Sequence, residues 1–156
     1  MTGRSLRATI NQTEVGTLQE VNGLWSFQYA ANWLDDPQGF ALSPHLPLTA
    51  EPLLDGASRR PVQWYFDNLL PEEGQRALLA GDAKLDVADA FGLLAWYGAE
   101  SAGSLTLLPP EAVPQTDEPL RPLPDDLLEA RIRQLPKAPL THAAIKRMSL
   151  AGAQHK

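Results

Sequence analysis

The chain has 156 residues, with 13 Lys or Arg against 19 Asp or Glu, a formal net charge of −6 and no cysteine. This length predicts one domain, and a hydrophobic fraction of 44% argues against wholesale disorder. The absence of cysteine excludes disulfides, thiolate chemistry, Cys-ligated zinc and iron–sulfur clusters. The sequence shows neither an apolar run long enough to span a membrane nor a signal peptide, so we expect a cytoplasmic protein with no membrane partner.

The charge is distributed unevenly. Residues 131–156 contain six basic residues and no Asp or Glu, so the first 130 residues carry a net charge of about −12. A nucleic-acid-binding domain is usually basic, so we expect no direct nucleic-acid binding. A local phosphate-binding segment near the basic end remains compatible with this pattern.

Three short strands are predicted at the start of the chain, over Leu6–Ile10, Glu14–Val21 and Leu24–Tyr29. Asn22-Gly23 is a strong signal for a type I′ hairpin turn, because both residues tolerate positive φ. Trp25, Phe27 and Tyr29 alternate with polar residues, which predicts one aromatic face that packs inward. Residues 40–49, which contain Pro44 and Pro47, are predicted to form an extended, ordered loop.

Helices are predicted next. The first covers about Pro61–Leu70 with a buried stripe of Val62, Tyr65, Phe66 and Leu69, and the second begins at Pro71 and ends at Gly81. Asp86 is predicted to cap a helix over Val87–Tyr97 that Gly98 ends in a left-handed conformation, with Val87, Ala90, Phe91 and Leu94 buried.

One strand and one helix complete the pattern. Ser104–Leu108 reads as a returning strand, the proline-rich residues 109–123 as an extended connection, and a helix is expected from Pro124 to near Leu135. Strands followed by helices and a final strand predict an α+β fold: a small N-terminal antiparallel sheet packed with several helices. The predicted division is 1–108, 109–123 and 124–156.

No constellation of catalytic or metal-ligating residues stands out. His45, His142 and His155 lack metal-ligand spacing, and the paired carboxylates occupy first helical turns, where they interact with the helix dipole. In the segment Phe66–Pro71, spacing alone favours a solvent-facing position for Asp67 and Asn68 at the end of a helix.

The last segment of the sequence, residues 146–156, favours phosphate. Its small side chains at Ala151, Gly152 and Ala153 allow close backbone approach, and successive N–H groups in such a turn can bind an anion. Basic residues surround it, and Ser149 follows Arg147 in a context that suits phosphorylation. On its own this signal is weak, because a small-residue terminus is common.

Three blocks, which occur in the same order, resemble the N-terminal part of HipA-family proteins, the serine/threonine kinase toxins of HipBA-type toxin–antitoxin modules. The first runs from Val15-Gly16 through Leu42–Leu48; the second comprises Phe66–Pro71, Asp89–Leu94 and Gly98–Leu105; the third is Ser149–Lys156. The blocks Phe66–Pro71 and Ser149–Lys156 are the most specific.

The resemblance implies that residues 1–108 form a subdomain of a kinase N-lobe. It also implies that Ala151, Gly152, Ala153, Gln154 and Lys156 belong to a nucleotide loop for ATP and Mg²⁺, with Ser149 as a regulatory phosphorylation site. The partners implied are a kinase core, in the same or a separate chain, and a DNA-binding HipB-like antitoxin.

The family's catalytic Asp, metal-binding Asp and ATP-pairing Lys lie beyond the region of resemblance, so the chain is predicted to hold no catalytic residue and to be inactive alone. An alternative is a stand-alone N-subdomain protein that binds and inhibits a separately encoded kinase. A third possibility is an unrelated α+β binding module.

Overall fold

A computed structural model describes residues 3–100, 104–112 and 122–134, and its centre is one antiparallel sheet. The strands are β1 (Arg4–Ile10), β2 (Thr13–Val21), β3 (Leu24–Tyr29), β4 (Leu53–Leu54) and β5 (Leu105–Leu108), in the spatial order β4-β3-β2-β1-β5. The α+β prediction is confirmed, as are the three N-terminal strands and the returning strand. The two-residue strand β4 at the sheet edge was not predicted, because two residues are too few to show an alternating pattern.

Tight turns connect the first three strands. Asn22 and Gly23 both have positive φ, at 54° and 76°, and Asn11 and Gln12 form the equivalent turn between β1 and β2 with φ of 48° and 67°. The predicted aromatic face is confirmed, because Trp25, Phe27 and Tyr29 are all buried. This alternation leaves Leu24, Ser26 and Gln28 on the outer face of the sheet.

The described residues form five α-helices: α1 (Ala31–Asp35), α2 (Pro61–Asp67), α3 (Glu73–Ala83), α4 (Ala90–Tyr97) and α5 (Asp125–Gln134). Helix α2 packs on the inner face of the sheet, where the Phe27 and Phe66 rings lie 5.4 Å apart between centroids. Helix α1 was not predicted; it supplies the buried Trp33, whose indole N–H donates to the Phe40 carbonyl at 3.0 Å.

The predicted bounds of α2 and α3 were wrong, and α3 begins at Glu73 and not at Pro71. Helix α3 continues past Gly81 to Ala83 and ends at Lys84, which adopts φ 55°. The half-buried Leu85 then packs on the core and its N–H donates to the Ala80 carbonyl, and these contacts fix the end of the helix. Helix α2 stops at Asp67, three residues earlier than expected.

Helix α4 begins at Ala90, because Asp89, and not Asp86, accepts a hydrogen bond from the N–H of Gly92. Val87 therefore lies outside the helix and is 47% exposed, whereas Ala90, Phe91 and Leu94 are buried as predicted.

Gly98 does not have the predicted left-handed conformation. Its φ is −66°, and the chain continues into a 3₁₀ turn over Gly98–Glu100. The physical reason for glycine is close packing: a Cβ atom at Gly98 would lie 2.6 Å from the Cβ of Leu107 on β5. Glycine here allows α4 to approach the sheet.

Candidate functional site

The predicted nucleotide loop and phosphorylation site lie outside the described residues. These are Ser149, Ala151, Gly152, Ala153, Gln154 and Lys156. Residues 113–121 of the predicted connection also lie outside the described ranges, and the three-part division of the chain stays a prediction. The described residues contain two charged clusters, two tyrosine anchors and one exposed surface.

The Phe66–Pro71 block forms a corner between α2 and α3. Phe66 and Leu70 are buried, while Asp67 accepts from Arg76 of α3 at 2.6 Å (Nη2 to Oδ1) and 3.3 Å (Nη1 to Oδ2). Asn68 is the exposed C-cap of α2, as the spacing indicated. Asp67, however, holds two helices together, because a bidentate Arg–carboxylate pair fixes both position and orientation.

A second cluster centres on Arg4 of β1. Its Nη1 donates to both carboxylate oxygens of Asp89 at 2.8 and 2.9 Å, and its Nε donates to Oε2 of Glu20 at 2.8 Å. The guanidinium also lies over the Phe91 ring, 4.9 Å from its centroid, and Phe91 meets Trp25 edge-on at 5.2 Å. Sequence reasoning missed Arg4, because its partners are 16 and 85 positions away.

Both carboxylates that accept from Arg4 also accept a hydrogen bond from a backbone N–H. Oε1 of Glu20 accepts from the Gly23 N–H of the β2–β3 turn at 2.6 Å, and Oδ1 of Asp89 caps α4 through the Gly92 N–H at 3.0 Å. Burial by itself would lower the pKa of Arg4, but the hydrogen bonds to Glu20 and Asp89 raise it above its usual value. The cluster therefore joins a hairpin, a strand and a helix start.

Tyr29 anchors the loop that carries the Leu42–Leu48 block. Its hydroxyl donates to the Leu46 carbonyl at 2.6 Å and accepts from the Leu42 N–H at 2.9 Å. Burial raises the pKa of Tyr29, although the bond from Leu42 acts in the opposite direction. The predicted loop is therefore ordered, with Leu46 buried, and it forms a turn in which Ser43 and Leu46 pair.

Tyr97 plays a similar part between α4 and α3. Its hydroxyl donates to the Leu79 carbonyl at 3.0 Å and lies 3.2 Å from Oδ2 of Asp82. Burial raises the pKa of Tyr97 strongly, and the neighbouring Asp82 raises it further. This tyrosine stays protonated and structural.

The most exposed large apolar side chains of the sheet and helices lie near β4. Leu54 is 72% exposed and Trp64 is 56% exposed, and Arg60, one helical turn before Trp64, donates to the Gly23 carbonyl at 3.2 Å. The sequence signal for Trp64 was available, since Val62 and Phe66 define the buried side of α2 and Trp64 falls opposite them.

The described residues contain no group of three or more His, Cys, Asp or Glu side chains that could hold a metal ion. No helix within the described ranges is long and apolar enough to cross a membrane. The charged groups characterised above connect elements of the fold, at Arg4 with Glu20 and Asp89 and at Arg76 with Asp67.

Two comparisons of the amino-acid sequence with known proteins agree with each other. The family model of the HipA N-terminal domain matches residues 6–108. A Sinorhizobium fredii protein named "Putative kinase Y4mE" is 39% identical over 144 residues, which cover 88% of this chain and 33% of that protein. The chain thus spans about a third of the length of this relative.

Comparison of structures gives the same fold. HipA of Shewanella oneidensis, solved with HipB and its operator DNA, superposes with a TM-score of 0.64 at 22% sequence identity. The superposition covers 94% of this chain and 33% of the HipA chain.

Proposed function

The chain belongs to the HipA N-terminal domain family, and from that membership we propose that it is the N-terminal portion of a HipA-like serine/threonine kinase toxin of a type II toxin–antitoxin system. The observation that carries the proposal is the match to Y4mE, which covers 88% of the chain and so extends beyond the domain that ends at Leu108. An alignment that passes beyond Leu108 and covers 33% of Y4mE supports this proposal.

In this proposal the final segment contributes to the nucleotide site. The backbone N–H groups around Ala151, Gly152 and Ala153, with Gln154 and Lys156, would bind the phosphates of ATP. Ser149 would receive a phosphoryl group from ATP, with formation of the phosphoserine ester and release of ADP and the hydroxyl proton. Phosphoserine beside Arg147 and Lys146 would gain charge-assisted hydrogen bonds.

The rest of the chemistry belongs to a kinase core, which supplies the catalytic base and holds Mg²⁺. Phosphoryl transfer depends on positioning and on metal-assisted stabilisation of charge. We therefore expect the chain to be inactive alone and to act in the cytoplasm after docking on that core. Its partner in the cell would be a HipB-like antitoxin, which would contact the DNA, because residues 3–112 of this chain contain 14 Asp or Glu against six Lys or Arg.

One observation favours a second candidate function. Residues of the sheet and of α1–α4 share one continuous buried core without any contribution from α5, so the domain has what it needs to fold as a separate unit. Such a unit could bind and inhibit a separately encoded HipA-like kinase. Toxicity of that kinase that persists when residues 1–112 are co-expressed would exclude this alternative.

The experiment that tests the first proposal uses a full-length fusion. Residues 1–156 are joined to the part of Y4mE that lies beyond its matched segment, and the purified fusion is incubated with ATP and Mg²⁺. We expect a phosphate on Ser149 by mass spectrometry, its loss in Ser149→Ala, and no ATP turnover by residues 1–156 alone. A fusion that folds and transfers no phosphate, or a loop phosphorylated equally in Ser149→Ala, would overturn the proposal.

A further inference from the structure

We propose that the surface around β4 is the docking face for the remaining two-thirds of a HipA-type chain, an inference that rests on the proposed function. This β4-edge surface is defined by six residues that are exposed or half-buried: Val21, Leu24, Leu54, Arg59, Arg60 and Trp64.

Strand pairing and the hydrogen bonds of Arg60 position the residues of the β4-edge surface. Val21 pairs with Leu24 across the hairpin, and Leu54 pairs with Ser26, two residues along the same outer face. Arg60 reaches from the start of α2 to the Gly23 carbonyl, beside Leu24, and also donates to Oε1 of Gln63 at 2.9 Å. Arg60 is the N-cap of α2, and its carbonyl accepts from the Trp64 N–H at 2.9 Å. Val21, Leu24 and Leu54 thus share the outer face of the sheet, and Arg60 connects this face to the start of α2.

Four apolar side chains of this surface are exposed to solvent. Leu54 and Trp64 are more than half exposed, and Val21 and Leu24 are exposed by 44% and 42%. Trp and Arg are among the residue types most enriched at energetically dominant interface positions.

The charge of the β4-edge surface is opposite to that of the domain around it. Two of the six basic residues in the acidic range 3–112 stand here side by side, and within the described residues neither Arg59 nor Arg60 forms a salt bridge. Asp55 does not neutralise them, since it is buried and accepts from the Val62 and Gln63 N–H groups at 2.9 Å. Glu51 lies toward the other end of β3, where the Ala50 carbonyl accepts from Gln28. The face therefore fits an apolar occupant that also presents carboxylates.

The length of the relatives identifies the occupant. This chain matches 33% of Y4mE and 33% of Shewanella HipA, so most of a HipA-type protein has to pack against some face of this domain. The helical surface around α3 is a poor candidate, because Leu78 and Val87 are accompanied there by the exposed acids Asp82 and Asp86 and by one exposed base, Lys84. The β4 edge combines exposed apolar area with unpaired positive charge, and it is the face that we assign.

The test uses the same full-length fusion, with a specific protease site inserted in residues 113–121. After cleavage, the affinity between residues 1–112 and the remainder is measured by size exclusion and titration. We expect the unsubstituted pieces to stay together. We also expect Trp64→Ala and the double change Arg59→Glu/Arg60→Glu each to weaken the complex about tenfold or more, the latter with a loss of salt dependence. Leu78→Ala and Val87→Ala, which remove exposed apolar side chains on the α3 side, serve as controls and should leave the affinity within about twofold.

The outcomes separate this inference from the proposed function. An uncut fusion that phosphorylates Ser149, combined with pieces that separate on cleavage or with β4-edge variants that bind as tightly as the unsubstituted domain, would overturn the docking face alone. Weakening by the α3-side controls instead would move the interface to that surface. Self-association of residues 1–156 that Trp64→Ala abolishes, with unchanged affinity for the remainder, would assign the face to a second copy and also overturn the inference. Thermal unfolding of each variant shows that its fold is intact.

Discussion

Two arginines, one on β1 and one at the start of α2, interact with their surroundings in opposite ways. At the β1 side, Arg4 lies over Phe91 and donates to two carboxylates, so that its charge joins three elements of the fold. At the β4 edge, Arg60 precedes the exposed Trp64 by four residues, donates to the Gly23 carbonyl and to the Gln63 amide oxygen, and forms no salt bridge within the described part of the chain. Paired charge with fixed geometry stabilises the domain, whereas unpaired charge beside exposed apolar area is available to a partner.

The largest expected effect tests the Arg4 region. Asp89→Ala removes the cap of α4 and two hydrogen bonds of Arg4, so we expect the free energy of unfolding to fall by about 2 kcal/mol. Asp86→Ala is the matched control, because Asp86 bonds only to the Ala88 N–H two residues on, and it should cost about 0.5 kcal/mol. Equal losses in denaturant titrations of the two variants would contradict the assignment of Asp89 as the cap.

Two glycine-to-alanine substitutions are expected to change the stability in opposite directions. The first of them affects the Arg4 region. An alanine at Gly92 would place its Cβ 2.3 Å from Oδ2 of Asp89, so the carboxylate would have to leave its position against Arg4. We expect Gly92→Ala to destabilise by about 1–2 kcal/mol. Gly81→Ala in α3 meets nothing within 4 Å and should stabilise by about 0.5–1 kcal/mol. Stabilisation by both alanines would show that the Asp89 carboxylate is not held.

The buried tyrosines are expected to make the free energy of unfolding depend on pH in the alkaline range. Burial raises the pKa of Tyr29, Tyr65 and Tyr97 above the ordinary value of 10.0. Above pH 10 the unfolded chain releases phenolic protons that the folded chain keeps, so stability is fully present below pH 10 and declines as pH rises further. The slope is at most about 1.4 kcal/mol per pH unit for each tyrosine.

Comparison of the unfolding free energies of wild type and Tyr97→Phe between pH 9 and pH 11 isolates one tyrosine. The variant is expected to be less stable at pH 9, because it lacks the bond to the Leu79 carbonyl, but to lose less stability with rising pH. Parallel pH profiles would show that Tyr97 ionises alike in the folded and unfolded chains.

The smallest expected effect belongs to the β4 edge. Trp64→Ala and Leu54→Ala remove side chains that are mostly in solvent, so the free energy of unfolding of residues 1–156 should change by about 0.5 kcal/mol or less. A loss above 2 kcal/mol in either variant would mean that the side chain already packs within the domain, and would remove the contrast with the Arg4 region.

The sequence predicted the structural features that depend on residues close together along the chain. The Asn22-Gly23 turn, the alternation of Trp25 and Phe27, and the return of β5 follow from local backbone preference and periodicity, and all are confirmed. Family membership followed from short blocks in a fixed order. The candidate site was predictable only in part, since its members are set by burial and pairing over long distances along the chain.

The tertiary structure decided which of several equivalent residues takes a role. Asp86 and Asp89 have the same capping chemistry, and Arg4 on β1 selects the second. Gly98 looked like a left-handed helix end, but the approach of Leu107 explains it. Asp67 looked solvent-facing until α3 brought Arg76 to it. In each case the energy comes from a contact between residues distant in sequence, which local pattern does not encode.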